Sequence, residues 1–202
     1  PDLRAFYAEA REALRREHGD YVLVNTSFGA VVDVAGPQGM IDLLVRMGAV
    51  RTPEEIAYYQ DYVTYSQRLV DAFVALLRRM SREAGCRIIL RPHPAEDLRF
   101  WGRVTRDLPN VRVRQDGPAA AWVYGCRLLV QKGCTTAIEA LALGVPAVTF
   151  DQVRSDRFDL ELPRQLSHGV DDPDEVMALI RQPPPAAADA LTLARAHIAN
   201  LE

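Results

Sequence analysis

The sequence is poor in the features that most quickly point to a function. Its 202 residues include three cysteines, Cys86, Cys126 and Cys134, with no C-x-x-C pair among them. An odd, scattered set builds neither a disulfide framework nor a zinc site, and it fits a reducing compartment. No apolar run approaches the ~18 residues of a membrane span. No signal peptide is read at the start, and the first residue is Pro1 where a Met would open a full chain, which leaves open whether the chain is a fragment. The formal net charge is only −3, which argues against a general nucleic-acid binder. No acidic cluster offers a metal site: Asp171, Asp172 and Asp174 read as a helix start.

What is present is enough apolar material for a core: 49% hydrophobic residues against 25% charged ones. Asp2 to His18 has the spacing of an amphipathic helix, with Leu3, Phe6, Ala10 and Leu14 on one side. "YVLVNT" (Tyr21 to Thr26) is a short buried strand. Ala30 to Val50 is ambiguous, with a short helix as one option over "GMIDLLVRMG". Thr52-Pro53-Glu54-Glu55 is a helix start with a capping box. The helical pattern then runs to Ala84, long enough to predict a break near Tyr58 to Tyr62, and Gly85 stops it.

Strands and helices alternate from there. "CRIIL", "VRVRQ", "RLLVQ" and "PAVTF" are strands; "EDLRFWGRVTRDL", "AAAWVYG" and "TTAIEALALG" are helices. A looser region spans Asp151 to Gly169, a helix covers Pro173 to Arg181, and Asp189 to Leu201 is read as a last helix after the stiff "QPPPAAA" linker. Continuous apolar strands alternating with helices predict an α/β fold, a Rossmann-like doubly wound parallel sheet of about five strands. The domain is expected over 1–182, with 183–202 as linker and terminal helix.

Ligands of such sheets bind beyond the carboxyl ends of the strands. "RIILRPHPAED" (Arg87 to Asp97) ends a strand in Arg91 and in His93, which is held between Pro92 and Pro94. A residue before proline is pushed to extended backbone, so both side chains are oriented in advance. Such a histidine can donate to a phosphate oxygen or act as acid or base, with Glu96 nearby. Equally, the stretch can be only a rigid turn.

"LLVQKGCTTAIEALALGVP" (Leu128 to Pro146) is the second constellation. Gly133 permits a tight turn, Thr135 and Thr136 open a helix whose free N–H groups attract anions, and Lys132 adds charge. Thr136 to Glu139 also reads as a capping box, which needs no ligand.

Together these motifs, with "GDYVLVNTSFG", the Trp101 region and "LPRQLS", resemble the donor-binding lobe of GT-B glycosyltransferases. The nearest resemblance is to the bacterial surface carbohydrate biosynthesis family, which uses CMP-activated acidic sugars, and it spans about two-thirds of the chain in order. The resemblance implies that His93, Gly133, Cys134, Thr135 and Thr136 surround the phosphate of a nucleotide sugar. It implies that Glu139 holds ribose hydroxyls and that Gln115, Asp116 and Gly117 lie near the base. Arg91 and Lys132 would add positive charge, and Asn25, Thr26 and Ser27 would face the cleft. Ser27 and Gln131-Lys132-Gly133 depart from the family pattern, which leaves the donor open.

No cofactor is implied beyond the nucleotide-sugar donor, and the partners are that donor, a glycan acceptor and a second Rossmann-like lobe. His93 and Glu96 are then the catalytic candidates. The expected location is cytoplasmic, with the inner face of the cell membrane as a further option. Three other readings compete: a UDP-sugar 2-epimerase-like enzyme, transfer of a polyol phosphate from a CDP-linked donor, and a non-catalytic nucleotide-binding module.

Overall fold

The computed structural model describes residues 2–186. The strands are β1 (Tyr21–Asn25), β2 (Arg87–Arg91), β3 (Val111–Val113), β4 (Leu128–Gln131), β5 (Ala147–Phe150) and β6 (His168–Val170). All pair in parallel, in the order β3-β2-β1-β4-β5-β6. The sheet therefore has six strands, one more than expected. The extra strand, β6, sits at an edge, is three residues long, and has two exposed residues. A half-open edge strand needs no apolar run, so the sequence there looked loose.

Nine helices connect the strands among the described residues: α1 (Leu3–His18), α2 (Gly29–Val32), α3 (Gly36–Arg46), α4 (Pro53–Glu83), α5 (Leu98–Val104), α6 (Ala119–Gly125), α7 (Thr136–Leu143), α8 (Glu161–Gln165) and α9 (Pro173–Arg181). They cover both faces of the sheet, because alternate strand residues point to opposite sides. Val22, Val24, Ile88, Leu90 and Val130 face a layer containing Phe73, Leu77 and Met80 of α4, Trp101 of α5 and Val176 of α9. Tyr21, Leu23, Ile89 and Leu129 face α6 and α7, through Trp122, Val123 and Ala140. Each layer holds one fully buried tryptophan, Trp101 or Trp122. Truncating either to alanine costs about 3–5 kcal/mol at such a site.

Three local expectations change. α1 buries His18 and half-buries Tyr7, Ala10 and Leu14, while Phe6 is 75% exposed. Its inner seam thus starts at Tyr7, one residue on from the expected face. α4 runs unbroken for 31 residues from its Thr52 capping box. Tyr58, Tyr62 and Tyr65 stack against Phe158, which gives the helix start a tertiary partner where a break was predicted. The helix after β2 begins at Leu98, because Pro94 to Asp97 form a turn and Asp97 caps from outside, accepting from the Arg99 N–H. The ambiguous stretch after β1 resolves into α2 and α3. The terminal helix expected at Asp189 to Leu201 lies outside the described residues.

Candidate functional site

The strand order reverses between β1 and β4, so the loops leaving these two strands part to opposite sides and open a crevice at the carboxyl edge. A cavity of about 310 Å³ lies there. Asn25 and Thr26 reach it from β1, Arg91 and His93 from β2, and Cys134, Thr135, Thr136 and Glu139 from the start of α7. His93 and Thr135, 42 positions apart, line one cavity.

The loop after β2 is fixed by Glu96. This carboxylate is 4% exposed and accepts four hydrogen bonds. Oε1 receives the N–H groups of Phe28 (2.9 Å) and His93 (3.2 Å); Oε2 receives the Thr26 hydroxyl (2.8 Å) and the Trp101 indole N–H (2.7 Å). Glu96 does not line the cavity, and with both oxygens engaged it has no lone pair aimed at a substrate. Its role is therefore positional, where the sequence made it a catalytic candidate: it ties the β1 and β2 loops together.

His93 is exposed. Its Nδ1 accepts from the Ala95 N–H at 3.2 Å, so in the neutral ring the proton sits on Nε2, which is left as a donor. Arg91 donates to the carbonyls of Asp116 (2.6 Å) and Gly117 (2.5 Å), and Trp122 donates to the same Asp116 carbonyl at 2.8 Å. The guanidinium is thus committed to shaping the 116–117 turn, where Gly117 has φ +64°. Gln115 donates to the His93 carbonyl at 3.0 Å. Gln115, Asp116 and Gly117 do not line the cavity themselves; they hold its rim, and Ala119 supplies the lining.

At α7 the capping box is absent. The N-cap is Thr135, without a side-chain cap bond. The Thr136 hydroxyl instead accepts from Asn25 Nδ2 at 3.0 Å and donates to Cys134 Sγ at 3.1 Å. Thr136 is 8% exposed and internally engaged, so it braces the turn. Thr135 is exposed, and its hydroxyl and N–H have no partner among the described residues. The turn itself is set by Gly133 at φ +63° and by the buried Gln131, whose Oε1 accepts the Cys134 N–H at 2.7 Å. Burial pushes the Cys134 thiol above its ordinary pKa, so it stays neutral beside this donor-rich end.

Glu139 lies one turn further along α7 and faces the same cavity. Burial raises its pKa, against the opposing charge of Arg91. Its Oε2 is buried without a hydrogen bond, as is Oδ1 of Asn25.

Three expected site residues, Lys132, Ser27 and Gly133, line a neighbouring hollow instead of this cavity. Lys132 is 4% exposed and points away from the cavity, where its Nζ donates to Asp151 (2.7 Å) and Asp159 (2.9 Å). Arg164 completes the cluster on Asp151 at 3.0 Å, and the Tyr65 hydroxyl donates to Asp159. A buried ammonium needs such partners, and they are 19 and 27 residues away, beyond what local spacing shows. Ser27 is exposed on the side of this cluster rather than in the 310 Å³ cavity. Among the described residues no group of three His, Cys, Asp or Glu side chains is gathered as a metal ion requires, and no helix is long and apolar enough to cross a membrane.

A larger hollow, about 780 Å³, lies at the opposite, amino edge, beside Arg87, Arg112 and Arg127. These arginines are engaged: Arg87 with the Glu17 carbonyl (3.2 Å), Arg112 with the Pro109 carbonyl (2.9 Å) and Arg127 with Asp20 (3.0 Å).

No family model matches the chain, and no curated protein matches its sequence. Solved structures do match. A UDP-GlcNAc 2-epimerase of Methanocaldococcus jannaschii, in complex with UDP-GlcNAc and UDP, aligns over 99% of this chain and 48% of its own, at 12% identity and TM-score 0.43. A GtfA/B complex aligns over 87% and 32%, at 12% identity and TM-score 0.44. The glycotransferase of kitacinnamycin aligns over 86% and 38%, at 20% identity and TM-score 0.39. The chain spans about half or less of each of these proteins. At these values the likeness carries no assignment of function, and the Rossmann-like fold rests on the observed strand order.

Proposed function

We propose that this chain is the nucleotide-sugar-binding lobe of a glycosyltransferase that uses a CMP-linked sugar in building bacterial surface polysaccharide. The observation that carries the reading is the convergence, in one crevice at the switch point, of groups whose hydrogen-bonding capacity is unpaired: the Thr135 hydroxyl and N–H, His93 Nε2 and the Glu139 carboxyl. Donors at the start of α7 and on His93 suit a phosphate, and the helix end adds a favourable field. An acceptor one turn away suits ribose hydroxyls. Thr136, Asn25 and Glu96 brace the loops, and Arg91 shapes the rim near Gln115 to Gly117, where the base would lie. Donors fixed before reaction stabilise a departing phosphate without rearrangement. The acceptor-binding groups and the catalytic base belong, in this reading, to a second lobe.

Calorimetry with CMP, UMP and UDP, each with and without EDTA, tests it. CMP is expected to bind most tightly, independently of EDTA. A strict magnesium requirement sinks the site as described, whereas tighter binding of UDP moves the donor to the UDP class. One observation favours a second reading, a UDP-sugar 2-epimerase-like enzyme: the half-buried Glu139, with its raised pKa, is equipped for proton transfer. Turnover of UDP-GlcNAc to its 2-epimer separates that activity from transfer.

A further inference from the structure

We infer that a second, smaller cavity beside the crevice receives vicinal hydroxyls of the sugar, an inference that rests on the nucleotide-sugar reading. This cavity, of about 70 Å³, lies between the loop after β1, the middle of α4 (Tyr62 to Leu69), the loop after β4 and the loop after β5. Thr26 and Cys134 line the crevice, while their chain neighbours Ser27 and Gly133 line the small cavity. Consecutive Cα atoms are ~3.8 Å apart, so the two hollows are separated by single turns of chain. A group bonded to a phosphate held at Thr135 needs to cross only the Gly133 turn to reach it.

Size and chemistry select the occupant. A cavity of 70 Å³ excludes a nucleoside and has room for a few water-sized groups. Ser66 is 2% exposed, lines the cavity, and its hydroxyl has no partner among the described residues. Lys132 Nζ carries three N–H bonds and has two carboxylate partners, so one donor is left. The charge of Lys132 and Arg164 is balanced by Asp151 and Asp159, so an anion gains little here and a neutral hydroxyl loses nothing. Phe158 and Tyr62, 5.4 Å apart between ring centres, give the apolar wall on which a C–H face of a sugar rests. The wall is preformed, because Phe158 also stacks on Tyr58 and Tyr65, and Arg157 pairs with Asp61 at 2.8 Å. The hydroxyls can come from the ring edge of a hexose or from the polyol tail of an acidic sugar.

The test compares bare nucleotides (CMP, UDP) with CMP-N-acetylneuraminate and UDP-N-acetylglucosamine, by calorimetry on the parent chain, Ser66→Val and Tyr62→Phe. Ser66→Val is expected to remove the affinity gained from the sugar, about tenfold, while leaving the bare nucleotide within about twofold. Tyr62→Phe keeps the wall and lowers the gain less. Which nucleotide sugar shows the gain identifies the source of the hydroxyls. Bare-nucleotide affinity doubles as the folding control, since a misfolded variant loses it. An unchanged sugar gain in Ser66→Val, with nucleotide still bound, overturns this inference alone. Failure of every nucleotide to bind the parent chain overturns the nucleotide-sugar reading and this inference with it.

Discussion

The two edges of the sheet make an instructive pair. The amino edge has the larger hollow and three arginines around it, and by size and charge it is the more conspicuous place for an anionic ligand. Yet Arg87, Arg112 and Arg127 are each engaged with a carbonyl or a carboxylate of their own chain. The carboxyl edge has a smaller cavity, but there the Thr135 hydroxyl and N–H, His93 Nε2 and Glu139 Oε2 have no internal partner. Buried polar groups ordinarily find partners, and at this edge Glu139 Oε2 and Asn25 Oδ1 do not, while Thr135 and His93 are exposed and free to bind a ligand. Volume alone favours the amino edge, whereas the unpaired groups lie at the carboxyl edge.

The largest expected effect is at the ion-paired Lys132 cluster on the other side of the carboxyl edge. Lys132→Met leaves Asp159 without a cation and Asp151 with Arg164 alone, and urea unfolding should show a loss of about 3–5 kcal/mol. A change under 1 kcal/mol would mean that water already reaches the pair. Next comes the unpaired side. His93→Ala should weaken CMP binding by about 1.5–3 kcal/mol while leaving cytidine unaffected, because a charge-assisted bond to phosphate is lost. Equal losses for both ligands would reduce His93 to a turn former.

A third, smaller effect is one of sign. The Glu139 pKa is raised by burial, so its native carboxyl holds its proton more tightly than the unfolded one does. The stability that proton brings is present at low pH and is lost as pH rises through the raised native value. Glu139→Gln should therefore be more stable than the parent at pH 7, by a margin that shrinks toward pH 4. Asp159 runs the other way. Burial opposes its ionisation, but hydrogen bonds from Tyr65, Lys132 and the Ser155 N–H keep its pKa below the usual value. Its contribution is present above the ordinary Asp value and is lost as pH falls through the lowered one, so Asp159→Asn should lose stability at pH 7. Denaturant midpoints across pH 4 to 8 check both signs. The smallest effect belongs to the amino edge: Arg87→Gln should change stability by no more than about 0.5 kcal/mol and leave CMP affinity unchanged.

The comparison also explains what the sequence could reveal. Continuous apolar strands, the Thr52 capping box and the stop at Gly85 act locally, so they were legible. So were the positions of Arg91, His93 and Thr135, because any residue just after a parallel strand lies at that edge. The pairings were not legible. Thr136 looked like a cap from the four residues around it, but its hydroxyl is held by Asn25, 111 residues earlier. Lys132 looked available until folding brought Asp151 and Asp159 to it. Glu96 looked catalytic beside His93, and only the fold shows Thr26, Phe28 and Trp101 gathered on its oxygens. β6 was missed because half of an edge strand faces water and carries no pattern.

The unbroken α4 has a geometric consequence. Its 31 residues extend about 46 Å, against about 17 Å for a five-residue strand. Its buried residues begin only at Tyr65, so the first twelve, roughly 18 Å of helix, stand beyond the strands as a parapet on the carboxyl side. Phe158 and Arg157 buttress it from the loop after β5. The small cavity beside the crevice, which Tyr62 of this segment lines, is therefore walled on this flank before anything binds.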